Sequence, residues 1–83
     1  MYAIIDIETT GGDYDEEGIT EIAIYQYDGV KITDQFCSLI NPEKKIQPFV
    51  QKLTGINEKM LQNAPLFFKI AKRIVEITKD CIL

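Results

Sequence analysis

The residues with the clearest chemical potential are two carboxylates near the N-terminus, Asp6 and Glu8. They lie in the run Ile4-Ile5-Asp6-Ile7-Glu8, whose apolar character predicts a β-strand. Side chains two positions apart on a strand share a face, so the carboxylates lie together at a Cα spacing of about 7 Å, while Ile5 and Ile7 point into the opposite layer.

Two carboxylates on one small apolar patch disfavour each other's ionisation, and a divalent cation removes that cost. Hard oxygen ligands on a rigid strand suit Mg²⁺ or Mn²⁺. A pair of such ions can stabilise both the attacking and the leaving oxygen of a phosphodiester displacement. The alternative is that both acids lie at a solvated strand end without a chemical role, and a bare Asp-x-Glu does not decide between the two.

Strands must position this pair. The first is predicted over 2–8, and Gly11 and Gly12 provide a sharp exit from it. Alternation of apolar and polar residues predicts a second strand over 20–27, and the turn signal Asp28-Gly29 precedes a third over 30–40. The three strands are therefore predicted to form an antiparallel meander.

Helices follow the Asn41-Pro42 break. A loop is predicted around residues 44–49, Asn57 is suited to cap a short helical turn through Leu61, and Pro65 suits the first turn of a helix ending near Lys79. An apolar stripe on that helix is predicted to pack in the core: Phe67, Ile70, Ala71, Ile74, Ile77 and Thr78. Cys81-Ile82-Leu83 resembles the start of a fourth strand.

The loop over 13–18 has acids at the first, third and fifth positions and glycine at the sixth, as a calcium-binding EF-hand loop does. Its twelfth position, where a bidentate glutamate is required, is Ile24. We therefore predict a solvated acidic loop.

Length and composition fit one small soluble domain of 83 residues with a net charge of −4. The sequence has no membrane-spanning run and no signal peptide, which makes the cytosol the expected location. Cys37 and Cys81 are expected to be reduced. Residues 1–43 carry a charge of −9 and residues 44–83 a charge of +5, so a polyanion is attracted to the second half.

The run Asp6-Ile7-Glu8-Thr9-Thr10-Gly11 resembles the first motif of the DEDD superfamily of 3′-5′ exonucleases, specifically the proofreading epsilon-subunit type of bacterial DNA polymerase III. The likeness continues in the family's order through 19–24, 39–42, 46–48, 53–57 and 60–65, and covers essentially the whole chain. It implies an α/β, RNase H-like exonuclease fold of which residues 1–83 form the N-terminal half, with a fourth strand parallel to the first.

The resemblance also implies a function: removal of nucleotides from single-stranded or frayed DNA 3′ ends in replication or repair, with two Mg²⁺ or Mn²⁺ ions. A DNA polymerase subunit is implied as a partner. Glu21 is expected to support the sheet beside the site. The roles carried over are catalysis and metal binding for Asp6 and Glu8, and substrate binding for Thr9, Thr10, Gly11, Phe49 and Thr54.

Two of the substrate positions depart from relatives. Phe49 stands where the polymerase subunit can have Glu, which puts contacts to the terminal nucleotide, and hence DNA-versus-RNA preference, in question. Thr54 stands where some relatives have His. Without the family, Thr54-Gly55 is interpreted as a helix-entry turn.

The family's second metal-binding Asp, its His general base and its last Asp would follow Leu83, and the sequence contains no His. The chain is therefore expected to be the N-terminal portion of an exonuclease domain. Alone it should have negligible nuclease activity, and its truncated sheet edge should favour self-association.

Two alternatives belong to other classes. Asp6-x-Glu8-x-Thr10 is close to the Asp-x-Asp-x-Thr signature of haloacid dehalogenase-type phosphotransferases, although that fold requires a helix-connected parallel sheet where Asp28-Gly29 predicts a hairpin. The other is a non-catalytic module that binds nucleic acid or a polymerase through the basic half of the chain.

Overall fold

A computed structural model describes residues 1–11 and 18–83 of the protein. Gly12 and residues 13–17 of the predicted acidic loop lie outside this described part. The elements run in the order β1 (Tyr2–Thr9), β2 (Ile19–Tyr27), β3 (Ile32–Leu39), α1 (Pro48–Thr54), α2 (Glu58–Leu61) and α3 (Phe67–Thr78).

The three strands form one antiparallel sheet in the order β1-β2-β3, which confirms the predicted meander. The third strand begins at Ile32, two residues later than predicted. The reason is the turn: the Asp28 carboxylate accepts the backbone N–H groups of Val30 (2.8 Å) and Lys31 (2.9 Å), which holds both residues in the hairpin loop. That hairpin excludes the parallel arrangement required by the phosphotransferase alternative.

A parallel bridge joins Ile82 to the outer edge of β1 beside Tyr2. The Ala3 N–H donates to the Ile82 carbonyl at 2.9 Å, and the Ile82 N–H donates to the Met1 carbonyl at 3.0 Å. The predicted start of a fourth strand parallel to the first is therefore confirmed.

The region between β3 and α3 differs from the prediction in one respect. Helix α1 occupies 48–54, where the sequence predicted a loop leading to Leu53. Pro48 opens this helix, and Gly55, with φ +76°, ends it by donating its N–H to the Gln51 carbonyl at 2.9 Å. The helix has only seven residues, too few for a clear apolar period.

The other two helices follow the prediction more closely. The Asn57 side chain accepts the Met60 N–H at 3.0 Å and caps α2 as predicted. Pro65 lies outside α3 rather than in its first turn, because its carbonyl accepts the Asn41 N–H at 2.9 Å and holds the preceding segment against the loop after β3. The helix begins at Phe67.

One face of the sheet packs against α3. The buried residues of this core are Ile22 and Ile24 of β2, Ile40, and Ile77 of α3. Within the predicted stripe, Ile77 is buried and the following Thr78 is half-buried, whereas Phe67 at the helix start is exposed.

Helix α3 leaves part of its sheet face open. The Arg73 guanidinium pairs with Asp34 of β3 at 2.8 Å, so α3 is tied toward β3. The isoleucines predicted to enter the opposite layer, Ile5 and Ile7, are 42% and 45% exposed, because the core beneath α3 is built from β2 and includes neither of them.

The other face carries a second cluster at one end: Ile46, Val50 of α1, Ile56 and Leu61 of α2, with Leu39 of β3 packed against it. Leu39 pairs with Glu21 across the sheet. Helices α1 and α2 therefore lie beside the face that carries Glu21. None of the helices within 1–11 and 18–83 is long and apolar enough to cross a membrane.

Candidate active site

The register of β1 and β2 places the acidic residues on one face. Asp6 pairs with Ala23 and Glu8 pairs with Glu21. Directly opposed residues of an antiparallel pair share a face, so the predicted common face of Asp6 and Glu8 is present and also holds Glu21. Asp6 is exposed and both glutamates are half-buried.

The position of Glu21 was predicted only in part from the sequence. It was expected to support the sheet beside the site, and the register sets it directly across from Glu8, where paired Cβ atoms are about 5 Å apart. Like charges directly opposite each other are destabilising unless a cation lies between them. The signal in the sequence was the shared alternation of Glu21, Ala23 and Tyr25.

These carboxylates fit a divalent cation. They are hard oxygen donors. Within residues 1–11 and 18–83, no lysine or arginine makes an ion pair with Asp6 or Glu8. Asp6 and Glu8 are the residues that would hold the ion. The described residues contain no group of three or more His, Cys, Asp or Glu side chains that could hold a metal ion.

The electrostatic influence of the acids extends along the same face to Tyr25. A hydrogen bond and a charge from Cys37 raise the pKa of Tyr25 first, burial adds to this, and the negative charges of Asp6 and Glu21 raise it further. The Cys37 Sγ lies 3.8 Å from the Tyr25 Oη. The register pairs Tyr25 with Ile4 and Cys37 with Ala23, so both side chains lie on the face that carries Asp6.

Thr10 anchors the chain where it leaves β1. It is 1% exposed; its hydroxyl accepts the Gly18 N–H at 3.0 Å and donates to the Gly11 carbonyl at 3.2 Å. Its backbone N–H donates to the Gly18 carbonyl at 2.8 Å, and its carbonyl accepts the Gln47 N–H at 2.9 Å. The polar groups of Thr10 are thus committed to the fold, and the Thr9 hydroxyl accepts the Gly11 N–H at 3.4 Å.

Gly11 lets α1 approach the end of β1. Its φ is +74°, and a Cβ there would lie 2.8 Å from Val50 Cγ2, 3.2 Å from Gln47 Cγ and 3.3 Å from Phe49 Cζ. The structure therefore brings Phe49 to Gly11 at the carboxyl end of β1. Phe49 is 64% exposed, so most of its ring is open to solvent beside the carboxylate strand.

Thr54, the remaining predicted substrate residue, is half-buried, and its hydroxyl is hydrogen-bonded to the backbone at the end of α1 and just beyond it. It donates to the Val50 carbonyl at 2.9 Å and accepts the Ile56 N–H at 3.1 Å. The turn at Gly55 is a helix exit, in contrast to the helix-entry turn of the alternative interpretation. Contact of Thr54 with a nucleotide stays a prediction.

A three-stranded meander, a following helix and the start of a fourth strand parallel to β1, with paired carboxylates on β1, are typical of the RNase H-like exonuclease class of α/β protein. The family model that describes exonucleases of the RNase T type matches residues 3–83. The chain belongs to this family of DEDD 3′-5′ exonucleases.

The relatives agree with this assignment. The chain is 43% identical over 81 residues to the 3′-5′ exonuclease DinG of Staphylococcus aureus (strain bovine RF122 / ET3-1), covering 98% of the chain and 9% of DinG. The DinG protein of strain USA300 gives the same identity and coverage. The chain thus spans about a tenth of the length of these relatives.

Solved structures show the same fold. Exonuclease X in complex with 5′ overhanging duplex DNA has a TM-score of 0.78 at 30% identity, over 89% of this chain and 43% of that one. The nuclease domain of 3′hExo, a DEDDh family member bound to rAMP, has a TM-score of 0.76 at 23% identity, over 94% and 43%. The resemblance is confirmed for the DEDD family, and these relatives do not single out its epsilon-subunit type.

Proposed function

We propose that this chain supplies the first carboxylate pair of a 3′-5′ exonuclease that removes nucleotides from single-stranded or frayed DNA 3′ ends, in the manner of the proofreading and repair enzymes. The observation that carries this proposal is the placement of Asp6 and Glu8 on one face of β1 without a basic partner among the described residues. Its cytosolic location stays a prediction.

Asp6 and Glu8 would hold Mg²⁺ or Mn²⁺, two ions in the complete site. Bound divalent ions supply stabilisation of the attacking and leaving oxygens in phosphodiester hydrolysis. The half-buried glutamate at position 21 adds negative potential on the same face and favours a cation there.

The residues around Gly11 would position the nucleic acid. Phe49 presents its exposed ring at the end of β1, and an aromatic face stacks on a nucleobase without regard to sequence. Because Thr10 is buried and hydrogen-bonded, its role in this proposal is to fix the path of Gly11. Thr9 and Gly11 would then border the terminal nucleotide.

We further propose that residues 1–83 are the N-terminal part of the exonuclease domain. The chain has two of the required carboxylates and no His that could act as a general base. The chain alone should therefore have negligible nuclease activity, and the open side of β1, where Ile5 and Ile7 are exposed, should favour self-association. A monomeric, fully active 83-residue preparation would contradict this.

The test is metal-dependent binding of an end-labelled single-stranded oligonucleotide, followed by fluorescence anisotropy in Mg²⁺ and in EDTA. We expect Mg²⁺ to tighten binding by the wild-type chain and to have no effect on Asp6→Asn or Glu8→Gln. Glu76→Gln is the matched control, because it removes one exposed acidic charge from α3 on the other side of the sheet and should retain the response to Mg²⁺.

The second candidate function is a non-catalytic module that binds nucleic acid or a polymerase subunit. The charge of +5 over residues 44–83 favours it. In that case the Mg²⁺ response would be absent from the wild-type chain, or would survive in Asp6→Asn and Glu8→Gln.

A further inference from the structure

The outward surface of α3 carries two large apolar side chains that are mostly exposed. Phe68 is 66% exposed and Val75 is 65% exposed, on the side of the helix opposite Ile77. Lys69 and Lys72 are exposed on the same side. We name the group Phe68, Lys69 and Lys72 the α3 outer patch.

The outer patch is cationic. No acidic residue lies in the first turn of α3, and the Arg73 guanidinium on the same helix is paired with Asp34. The Lys69 Nζ lies 5.1 Å from the centre of the Phe68 ring, so a cation and an exposed aromatic face occur together. Glu76 follows Lys72 by four residues and lies beside it on the helix surface, so it offsets part of this positive charge, and Asp80 follows Lys79.

The outer patch lies at the same end of the sheet as the carboxylates, but on the opposite face. Glu8 is near the end of β1, which pairs with the start of β2 at Ile19. A groove of about 490 Å³ at this end is lined by Ile19 together with Phe67 and Phe68 of α3. The outer patch and the carboxylates therefore both lie toward the end of the sheet where β1 ends and β2 begins.

We propose that the α3 outer patch is a second contact surface for single-stranded nucleic acid, and that it holds the part of the strand 5′ to the end bound at the carboxylates. This inference rests on the proposed function for the polarity of the strand. Lys69 and Lys72 are suited to phosphate, and Phe68 is suited to the face of a base. A duplex hides its base faces in the stack and would leave Phe68 without a contact, so the exposed aromatic favours a single strand.

The experiment is anisotropy of a labelled oligothymidylate of about sixteen residues, a length in the range that single-strand grooves occupy, measured in EDTA. Lys72→Glu is compared with Lys31→Glu, which makes the same charge change in the β2–β3 hairpin. The loss of one phosphate contact should make the slope of log affinity against log salt concentration shallower by about 0.7. Between 1 M and 0.1 M salt this change in slope corresponds to about a fivefold loss of affinity. We expect this loss, with a shallower salt dependence, for Lys72→Glu only.

Phe68→Ala separates stacking from charge. It should weaken binding by about fivefold or more without changing the salt dependence, because it removes an aromatic face and no charge. Equal affinities for Lys72→Glu and Lys31→Glu would overturn the proposal. A duplex of the same length that binds more tightly, with the same dependence on Lys72, would overturn the assignment to single strands.

Failure of the proposed function can be distinguished from failure of this inference. In EDTA, Asp6→Asn should retain binding that depends on Lys72, because the outer patch requires no metal. If Asp6→Asn retains this binding and no Mg²⁺ response exists in the wild-type chain, the inference stands without the exonuclease site. If Asp6→Asn abolishes Lys72-dependent binding in EDTA, the outer patch is not a separate surface and the inference falls.

Discussion

Gly11→Ala is the change that most directly tests how α1 is set against the carboxylate strand. The substitution has two costs. A φ of +74° is unfavourable for alanine by about 1 to 2 kcal/mol, and the new Cβ would lie 2.8 Å from Val50 Cγ2. Crowding of a packed site costs about 1 to 3 kcal/mol more, so the expected total is about 2 to 5 kcal/mol.

Gly55→Ala is the matched control for the backbone cost. Gly55 has φ +76°, almost the same as Gly11, but a Cβ there would meet nothing within 4 Å. It should therefore lose only the backbone part, about 1 to 2 kcal/mol. The difference between the two variants isolates the packing of α1 against Gly11.

The assay is urea unfolding followed by circular dichroism, with the free energy of unfolding compared at equal m-values. A chain of this length has a stability of about 4 to 12 kcal/mol, so the expected loss is a large fraction of the total. If Gly11→Ala and Gly55→Ala lose the same free energy, the close approach of Val50 and Phe49 to Gly11 is wrong. The proposed position of Phe49 beside the site would then be wrong as well.

Three further predictions concern stability. Thr20 is 1% exposed and its hydroxyl has no hydrogen-bond partner within residues 1–11 and 18–83, so Thr20→Val should raise the free energy of urea unfolding by about 1 kcal/mol. Asp80 follows α3 with φ +60°, and Asp80→Gly should raise the midpoint of thermal unfolding because glycine adopts that conformation without strain. Arg73 and then the Gln35 N–H lower the pKa of Asp34, so its contribution is present above its ordinary pKa of 3.8 and is lost as the pH falls through the folded-state value. Asp34→Asn should thus unfold at lower urea than wild type at pH 7, with the difference vanishing in acid.

Each of these has a contrasting variant. Thr10→Val should destabilise, since the Thr10 hydroxyl has two hydrogen bonds, and a stabilising result would show that these hydrogen bonds do not distinguish Thr10 from the equally buried Thr20. Lys79→Gly, at an extended C-cap with φ −57°, should not stabilise α3 as Asp80→Gly does. An Asp34→Asn deficit that persists unchanged in acid would show that the ion pair with Arg73 is not its source.

The sequence was informative where a local rule determines the structure. Apolar character located β1 and alternation located β2, the Asp28-Gly29 signal located the hairpin, and Asn57 capped α2 as expected. Helix α1 could not be predicted by the same reasoning, because seven residues give no periodic signal and Pro48 suits a loop as well as the first helical turn.

The candidate site depends on long-range geometry in a way that the sequence does not show. Alternation alone put Asp6 and Glu8 on one face, but the alignment of Glu8 with Glu21 depends on the register between β1 and β2, which shifts after Glu8. The contact of Phe49 with Gly11 joins residues on separate elements and has no local signature. For Thr54, the structure shows hydrogen bonds to the Val50 carbonyl and the Ile56 N–H that account for the hydroxyl without a ligand.

The central claim is that Asp6 and Glu8 hold a divalent cation on β1. The most direct measurement is a Mn²⁺ titration of the ¹⁵N-labelled chain, in which paramagnetic broadening of amide signals falls steeply with distance from the ion. Broadening should begin at residues 6–8 and the facing 21–23, spare the hairpin at 28–31 about 20 Å away along the strands, and disappear in Asp6→Asn/Glu8→Gln. Broadening centred elsewhere, or unchanged in the double variant, would contradict the claim.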